Sequence, residues 1–335
     1  MTGKEFWLRW RREIVRGAVT FVFVVAGGLA IASMVRRGKE RVRDFARSLD
    51  IDPDFSSPDR QHAPAWTYSV PLTTHQTLWL RNLNGSVSVE PAAGRNVEIS
   101  ADRSFRHADP QSVQLLTVPS RAGVTVCAVW PGSADSACGA GGRYEMHRNN
   151  GGSDHHSDVA VVFTVKLPRG VQLDASTING QIEVHGATAP VTVETINGEV
   201  MVETTNGPVE AKTINGDAHA IIRGFGAPGN VVVRTTHGDA TVELPENLDA
   251  NVTGHTVTGD ISSDFDLPVT GKFASKSLSG TLGKGGRGVD VQTVAGDILI
   301  RKVGPPATPE PPRVVPPPAA PTKTQGRTPP PSGKS

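Results

Sequence analysis

The chain has 335 residues, 36 of them glycine and 26 proline, and a net charge of +1. That neutrality is a sum of opposites: residues 1–50 carry 11 Lys/Arg against 5 Asp/Glu, while residues 171–303 carry 9 against 16. A basic head on an acidic body points to a membrane-facing end and a soluble end, and argues against nucleic acid, which needs basic charge spread over the folded surface.

Residues 1–16 form a short basic N-terminus. Gly17 to Val35 (GAVTFVFVVAGGLAIASMV) is 19 residues without a charge. At 1.5 Å per residue it would span about 28 Å, close to the hydrocarbon thickness, so a transmembrane helix is predicted and the lipid bilayer is its partner. The alternative is a cleaved leader, since Ala30-Ile31-Ala32 is a small-residue cleavage pattern after a basic segment. Arg36, Arg37 and Lys39 directly after it fit cleavage poorly. Basic residues flank both ends of the span, so charge alone does not orient it. Residues 36–65 read as a stalk, with Arg36–Arg47 suited to anionic headgroups.

A β domain is predicted over 66–303. Arg81-Asn82-Leu83-Asn84-Gly85-Ser86-Val87-Ser88-Val89-Glu90 pairs a turn signal with period-two alternation, and Asn96–Ala101 is the expected second strand of that unit. Residues 102–172 contain strand candidates Ser112–Val118, Gly123–Trp130 and Asp158–Leu167, read as an antiparallel insertion or end cap. Cys127 and Cys138 lie 11 positions apart among small, turn-prone residues. A disulfide closing that loop would contribute roughly 2–3 kcal/mol. One pair with no spare thiol fits an oxidising compartment, which puts the body outside the cytoplasm and the N-terminus inside. His147, Asp154, His155, His156 and Asp158 match no standard zinc spacing and read as a polar loop.

The most regular part follows. T-I-N-G occurs at Thr177, Thr195 and Thr213, with starts 18 residues apart. The looser T-x-x-G form recurs at Thr235, Thr256, Ser277 and Thr293. Each Gly is followed by alternating β-branched and polar residues, as in Gly198-Glu199-Val200-Met201-Val202-Glu203. Asn-Gly supplies a corner that tolerates positive φ. Self-similarity near 20 residues is a solenoid signature. The fold class expected is therefore all-β: a β-solenoid of about six to seven turns of 16–22 residues with an antiparallel insertion. Ile196, Val200, Val202 and Val209 are the expected core of one turn. Equivalent residues should stack about 4.8 Å apart. That makes a corner ladder of Thr177, Asn179, Gly180, Thr195, Asn197, Gly198, Thr213, Asn215 and Gly216. His237, Thr258, Ser279 and Ala295 replace the corner Asn later on. Residues 304–335 hold 12 prolines in 32 positions and read as a disordered spacer.

The tandem T-[IV]-N-G-[DEQ]-[IV]-x-V motif, the upstream L-N-G-S-V-S-V-E unit and the N-terminal hydrophobic segment resemble an adhesin-like family of bacterial envelope proteins. The resemblance covers residues 70–302. It implies a β-solenoid with no established enzymatic activity, and some relatives belong to envelope-stress systems.

Chemistry is sparse. The residue after the corner Gly is acidic at Glu199, Asp217, Asp239, Asp260 and Asp297, with Gln181 and Thr281 the exceptions. Such a column reads as a solvated face, since the G-G-x-G-x-D turns of calcium-binding coils are missing. Residues 177–301 contain no Trp or Tyr, the usual platforms for sugar rings, and neither a phosphate loop nor a nucleophile elbow occurs. No catalytic, cofactor or metal residues are expected. The expectation is a membrane-anchored, non-catalytic protein of the bacterial cell membrane that binds an envelope protein or glycan. The alternatives are an envelope-stress component docking a membrane sensor and a carbohydrate-active β-helix enzyme.

Overall fold

One coil shows how this sequence folds. Val191–Glu194 is a short strand whose Val191 and Val193 point inward while Thr192 and Glu194 face out. Thr195-Ile196-Asn197-Gly198 turns the corner, and Val200–Thr204 runs back with Val200 and Val202 fully buried. Val209–Lys212 opens the next coil. Each strand pairs in parallel with its equivalent, Val191 opposite Val209 and Val200 opposite Ala218. Because equivalent strands pair in register, inward positions stack on inward positions. The two sheets thus close on a single core of Val, Ile, Leu and Ala.

The computed structural model describes residues 60–131, 137–144, 158–226, 228–271 and 275–304. Among them no helix is long and apolar enough to cross a membrane. The predicted span Gly17–Val35, the residues His147, Asp154, His155 and His156, and the proline-rich residues beyond 304 lie outside the described set.

Each sheet contains eight successive parallel strands among the described residues. In one sheet the order is Gly123–Val129, Thr77–Arg81, Gln172–Ser176, Val191–Glu194, Val209–Lys212, Val231–Arg234, Arg287–Ala295 and Ala250–Thr258. The other sheet repeats that order with the strand that follows each corner. Antiparallel strands close both ends. Gln114–Ser120 and Asn96–Phe105 cover one end, and Lys276–Leu282 followed by Val269–Thr270 covers one sheet at the other. They flank the outermost parallel strands, whose bare edges would otherwise invite aggregation, and Gln61–His62 and Trp66–Pro71 pair in turn with Asn96–Phe105.

Several expectations change. Among the described residues there are eight coils, one of which lies within the segment expected to be an insertion. In the supposed insertion 102–172, Gly123–Val129 and Ala160–Leu167 form a regular parallel coil against Thr77–Arg81 and Val87–Pro91. Asn96–Phe105 is not the opposite-sheet partner of Val87–Pro91. The chain reverses at Ala92–Arg95 and the strand stays in the same sheet, antiparallel to Ala160–Leu167. Ser277–Gly280 is not a corner but the middle of the antiparallel strand Lys276–Leu282. The fold also begins inside the expected stalk. Gln61–His62 pairs with Phe105 and Ser104, and the buried Arg60 donates from Nε to Ser104 Oγ at 3.0 Å.

Candidate binding groove along the corner column

The corners stack into columns, each with its own chemistry. The first is threonine. Thr177, Thr195, Thr213, Thr235, Thr293 and Thr256 are all buried. Each donates its hydroxyl to the carbonyl of the corner glycine one coil back: Thr195 to Gly180 at 2.9 Å, Thr213 to Gly198 at 2.9 Å, Thr235 to Gly216 at 2.8 Å. Thr293 and Thr256 continue the pattern onto Gly238 and Gly296, each at 2.9 Å. The bond keeps a buried carbonyl from being left unpaired.

The second column is the amide ladder. Asn179 donates to Asn84 at 2.9 Å, Asn197 to Asn179 at 2.7 Å, and Asn215 to Asn197 at 2.8 Å. The ladder stops at His237, whose Nδ1 is buried without a partner. Glycine is the third column. Gly180, Gly198 and Gly216 have φ of 146°, 152° and 142°. A Cβ on Gly198 would sit 2.2 Å from the Gly180 oxygen.

The acidic column is more than a solvated face. Asp217 Oδ1 accepts the backbone N–H of Asp239 at 2.8 Å, and Asp239 Oδ1 accepts that of Asp297 at 2.8 Å. Asp297 Oδ1 in turn accepts the N–H of Asp260 at 2.7 Å. Each carboxylate sews its coil to the next. Among the described residues no group of three or more His, Cys, Asp or Glu is placed to hold a metal ion. Asp158, placed in a polar loop by sequence, accepts the N–H groups of His107, Ala108 and Arg106. Burial pushes its carboxyl up, but those donors and the nearby Arg60 prevail and the net shift is downward.

The second corner position faces outward. Ile178, Ile196, Ile214, Thr236, Val294 and Val257 form a row, one per coil, along a groove of about 620 Å³. Val257 and Val294 are each 43% exposed and Ile196 is half-buried, so Ile196 is not the core residue expected. The alternation itself carries the signal: with Val191, Val193 and Thr195 inward, Ile196 must point out. Six coils at about 4.8 Å each give a row roughly 24 Å long. One bank bears Glu194, Lys212, Arg234 and His255. Lys212 pairs with Glu194 at 3.1 Å and also with Glu210, and Arg234 pairs with Asp290 at 2.5 Å. The hydrogen bond it donates to Glu210, followed by that to Glu194, holds the Lys212 ammonium above its ordinary value.

Tyr144 lines the groove together with Asn82 of the Asn82–Gly85 corner. Cys127 and Cys138 are bonded, with Cα atoms 6.0 Å apart, and Cys138 bridges to Tyr144 in the backbone. The Tyr144 hydroxyl donates to the Ala128 carbonyl at 2.7 Å, and burial pushes its phenol up, so it stays neutral. The disulfide therefore pins the segment that carries Tyr144 to the groove. Sequence reasoning identified the bond but not this consequence, because nothing local to Tyr144 signals it.

Two parallel sheets wound from repeated corners and closed by antiparallel strands define a stacked-coil β domain. Residues 66–301 match the Toastrack DUF4097 family, and the chain belongs to it. None of the curated proteins matches the chain. Solved structures similar to it include a putative cell adhesion protein from Clostridium sporogenes, at 11% identity and a TM-score of 0.41, covering 71% of this chain and 100% of that one. A putative adhesin from Bacteroides fragilis aligns at 10% identity and a TM-score of 0.24, covering 71% and 97%. One from Parabacteroides merdae aligns at 10% identity and 0.19, covering 72% and 96%.

Proposed function

We infer that this is a membrane-anchored, non-catalytic bacterial envelope protein that acts by binding, in adhesion or in holding an envelope partner or glycan. The groove is its contact surface. The observation that carries this reading is the row of outward aliphatic side chains from Ile178 to Val257, held in register by the threonine and glycine columns beneath. A stack of backbone-bonded coils presents that row without the ordering cost a flexible surface would meet on binding. The Cys127–Cys138 bond supports a body outside the cytoplasm. The uncharged stretch Gly17–Val35 supports a single membrane span. Among the described residues the one carboxylate lining the groove, Glu194, is paired to Lys212, an arrangement suited to a binding wall rather than to proton transfer.

The test is binding of cells displaying the full-length protein to immobilised envelope glycans and to envelope extracts. Ile196→Asp and Ile214→Asp are compared with Met201→Asp, which alters the outward face of the other sheet. Loss confined to the groove variants, at parental surface level, is expected. Unchanged binding by both groove variants, with loss in the Met201 variant, would overturn the assignment of the groove.

A further inference from the structure

Among the described residues, the last coil in sequence is not the last coil of the stack. Arg287–Ala295 lies between Val231–Arg234 and Ala250–Thr258, parallel to both. Ile298–Lys302 lies between Ala240–Leu244 and Ile261–Ser263, again parallel to both. Among the described residues this coil is the only strand-to-strand connection in either sheet between the main stack and residues 250–282. Residues 250–263 are therefore made first, yet sit one place further out. The gap they leave for a later coil is two layer spacings, about 9.6 Å, with an open strand edge on each side.

That slot is specified from both walls. Thr293 donates to the Gly238 carbonyl, and Thr256 donates to that of Gly296. Asp239 accepts from the Asp297 N–H, while Asp297 accepts from that of Asp260. Gly296 sits at φ 153°, where a Cβ would meet the Gly238 oxygen at 2.0 Å. Arg234 pairs with Asp290. A coil entering the slot must bring Thr, then Gly three residues on, then Asp. It must also place apolar side chains where Val289, Val291, Ile298 and Ile300 lie fully buried. An ordinary extended peptide brings none of this spacing, whereas a second copy of this chain brings all of it.

The connection into the insert is built to open. Lys276–Leu282 pairs with one edge of Ala250–Thr258 and Arg287–Ala295 with the other, so residues 283–286 must cross over the end of that strand. Gly283, Gly285 and Gly286 make the crossing at φ of 55°, 73° and 117°. Glycines can leave such angles for an extended path without steric cost, and short hinge connections of this kind favour exchange between copies. We propose that Arg287–Lys302 is an exchangeable insert, and that the slot between the Val231–Leu244 and Ala250–Ser263 coils binds the same coil of a second copy. The exchanged dimer keeps the strand pairings of the monomer, and this holds whatever the groove binds.

The test uses two full-length chains in detergent, one carrying R234C and the other Q292C. Arg234 and Gln292 face each other in register. Facing parallel residues lie about 4.8 Å apart at Cα, within disulfide reach. The chains are mixed, unfolded, refolded together and mildly oxidised. The control pair is K212C with R234C, which face each other between two coils that follow directly in the chain. A disulfide-linked heterodimer of the first pair at several times the control yield is the expected result, and equal yields overturn the proposal. Hydrogen exchange on the unaltered chain is the second measurement. Amides of 250–258 and 287–302 are expected to lose protection in one step, and a cap that stays protected while the insert exchanges overturns it as well.

Discussion

The Asp239 carboxylate accepts the backbone N–H of Asp297 at 2.8 Å, across 58 residues of chain and one coil of the stack. A side chain here accepts a backbone N–H at the corner, beside the backbone bond from the Ala240 N–H to the Asp297 carbonyl. Asp reaches that N–H in the coils from Asp217 onward, whereas the earlier coils have Glu199 and Gln181 at the same place. Asp239→Ala should therefore cost about 1 kcal/mol, the usual net worth of one such bond, and Asp239→Asn clearly less. Urea unfolding of the two variants checks this, and equal stabilities would mean the bond contributes nothing.

The glycine column predicts a larger effect. Gly216 has φ 142°, and a Cβ there would lie 2.2 Å from the Gly198 oxygen, a backbone atom that cannot move without moving its coil. Gly216→Ala should destabilise by roughly 3 kcal/mol or more, through backbone strain and the displaced coil together. Gly94→Ala is the matched control, since nothing lies within 4 Å of its Cβ position. That change should stay within about 0.5 kcal/mol of the parent. Thermal unfolding of the pair distinguishes a general intolerance of alanine from the stacking constraint.

Thr213 tests the buried hydroxyls. Thr213→Val keeps the shape and removes the donor to the Gly198 carbonyl, leaving an unpaired acceptor in a buried corner. The expected loss is about 1–3 kcal/mol, and Thr213→Ser should recover most of it. Should valine prove as stable as threonine, the column would be a matter of shape and β-propensity alone.

Much of this was legible from residues because the corner is local. Positive φ, a carbonyl needing a donor and an in-register amide each demand a particular residue type, so T-x-N-G could be read directly and the ladder from Asn179 to Asn215 followed. The order of coils was not legible. Parallel pairing is non-local, and Thr235, Thr256 and Thr293 all open a T-x-x-G-D coil, so the motif alone does not say which coil neighbours which. Ser277-Leu278-Ser279-Gly280 misled because alternation with a following glycine looks alike in a corner and in an edge strand. Its next residue, Thr281, breaks the acidic column, and that was the available warning. Hydrophobicity alone puts Ile196 in the core, whereas the parity of the strand before it places it in the groove.

Acid should loosen the end of the stack near Asp158. Its carboxylate gathers the N–H groups of His107, Ala108 and Arg106, with Arg60 nearby, and its folded pKa lies below the ordinary carboxylate value of 3.8. A depressed folded pKa contributes stability that is fully present above the unfolded value and is lost as pH falls through the folded one. The contribution should be complete at neutral pH and disappear below the ordinary carboxylate range. Asp158→Asn should be less stable than the parent at pH 7, with the difference shrinking as the pH drops towards that range. Parallel unfolding curves at every pH would refute the assignment.

The disulfide ties stability to the proposed binding surface. Closing the loop between Cys127 and Cys138, 11 residues apart, should contribute roughly 2–3 kcal/mol by loop entropy. The same bond holds the segment on which Tyr144 meets the groove and donates to the Ala128 carbonyl. Reduction should therefore do two things at once: lower the unfolding midpoint, and weaken whatever partner binding the groove variants Ile196→Asp and Ile214→Asp also weaken. Tyr144→Phe separates these effects, since it removes the bond to Ala128 while leaving the disulfide in place. A modest loss of binding in Tyr144→Phe, with about 1 kcal/mol lost for the Ala128 bond and so less destabilisation than reduction causes, is the expected result. Full binding in the reduced protein would mean that Tyr144 and its loop are a structural cover for the core and take no part in recognition.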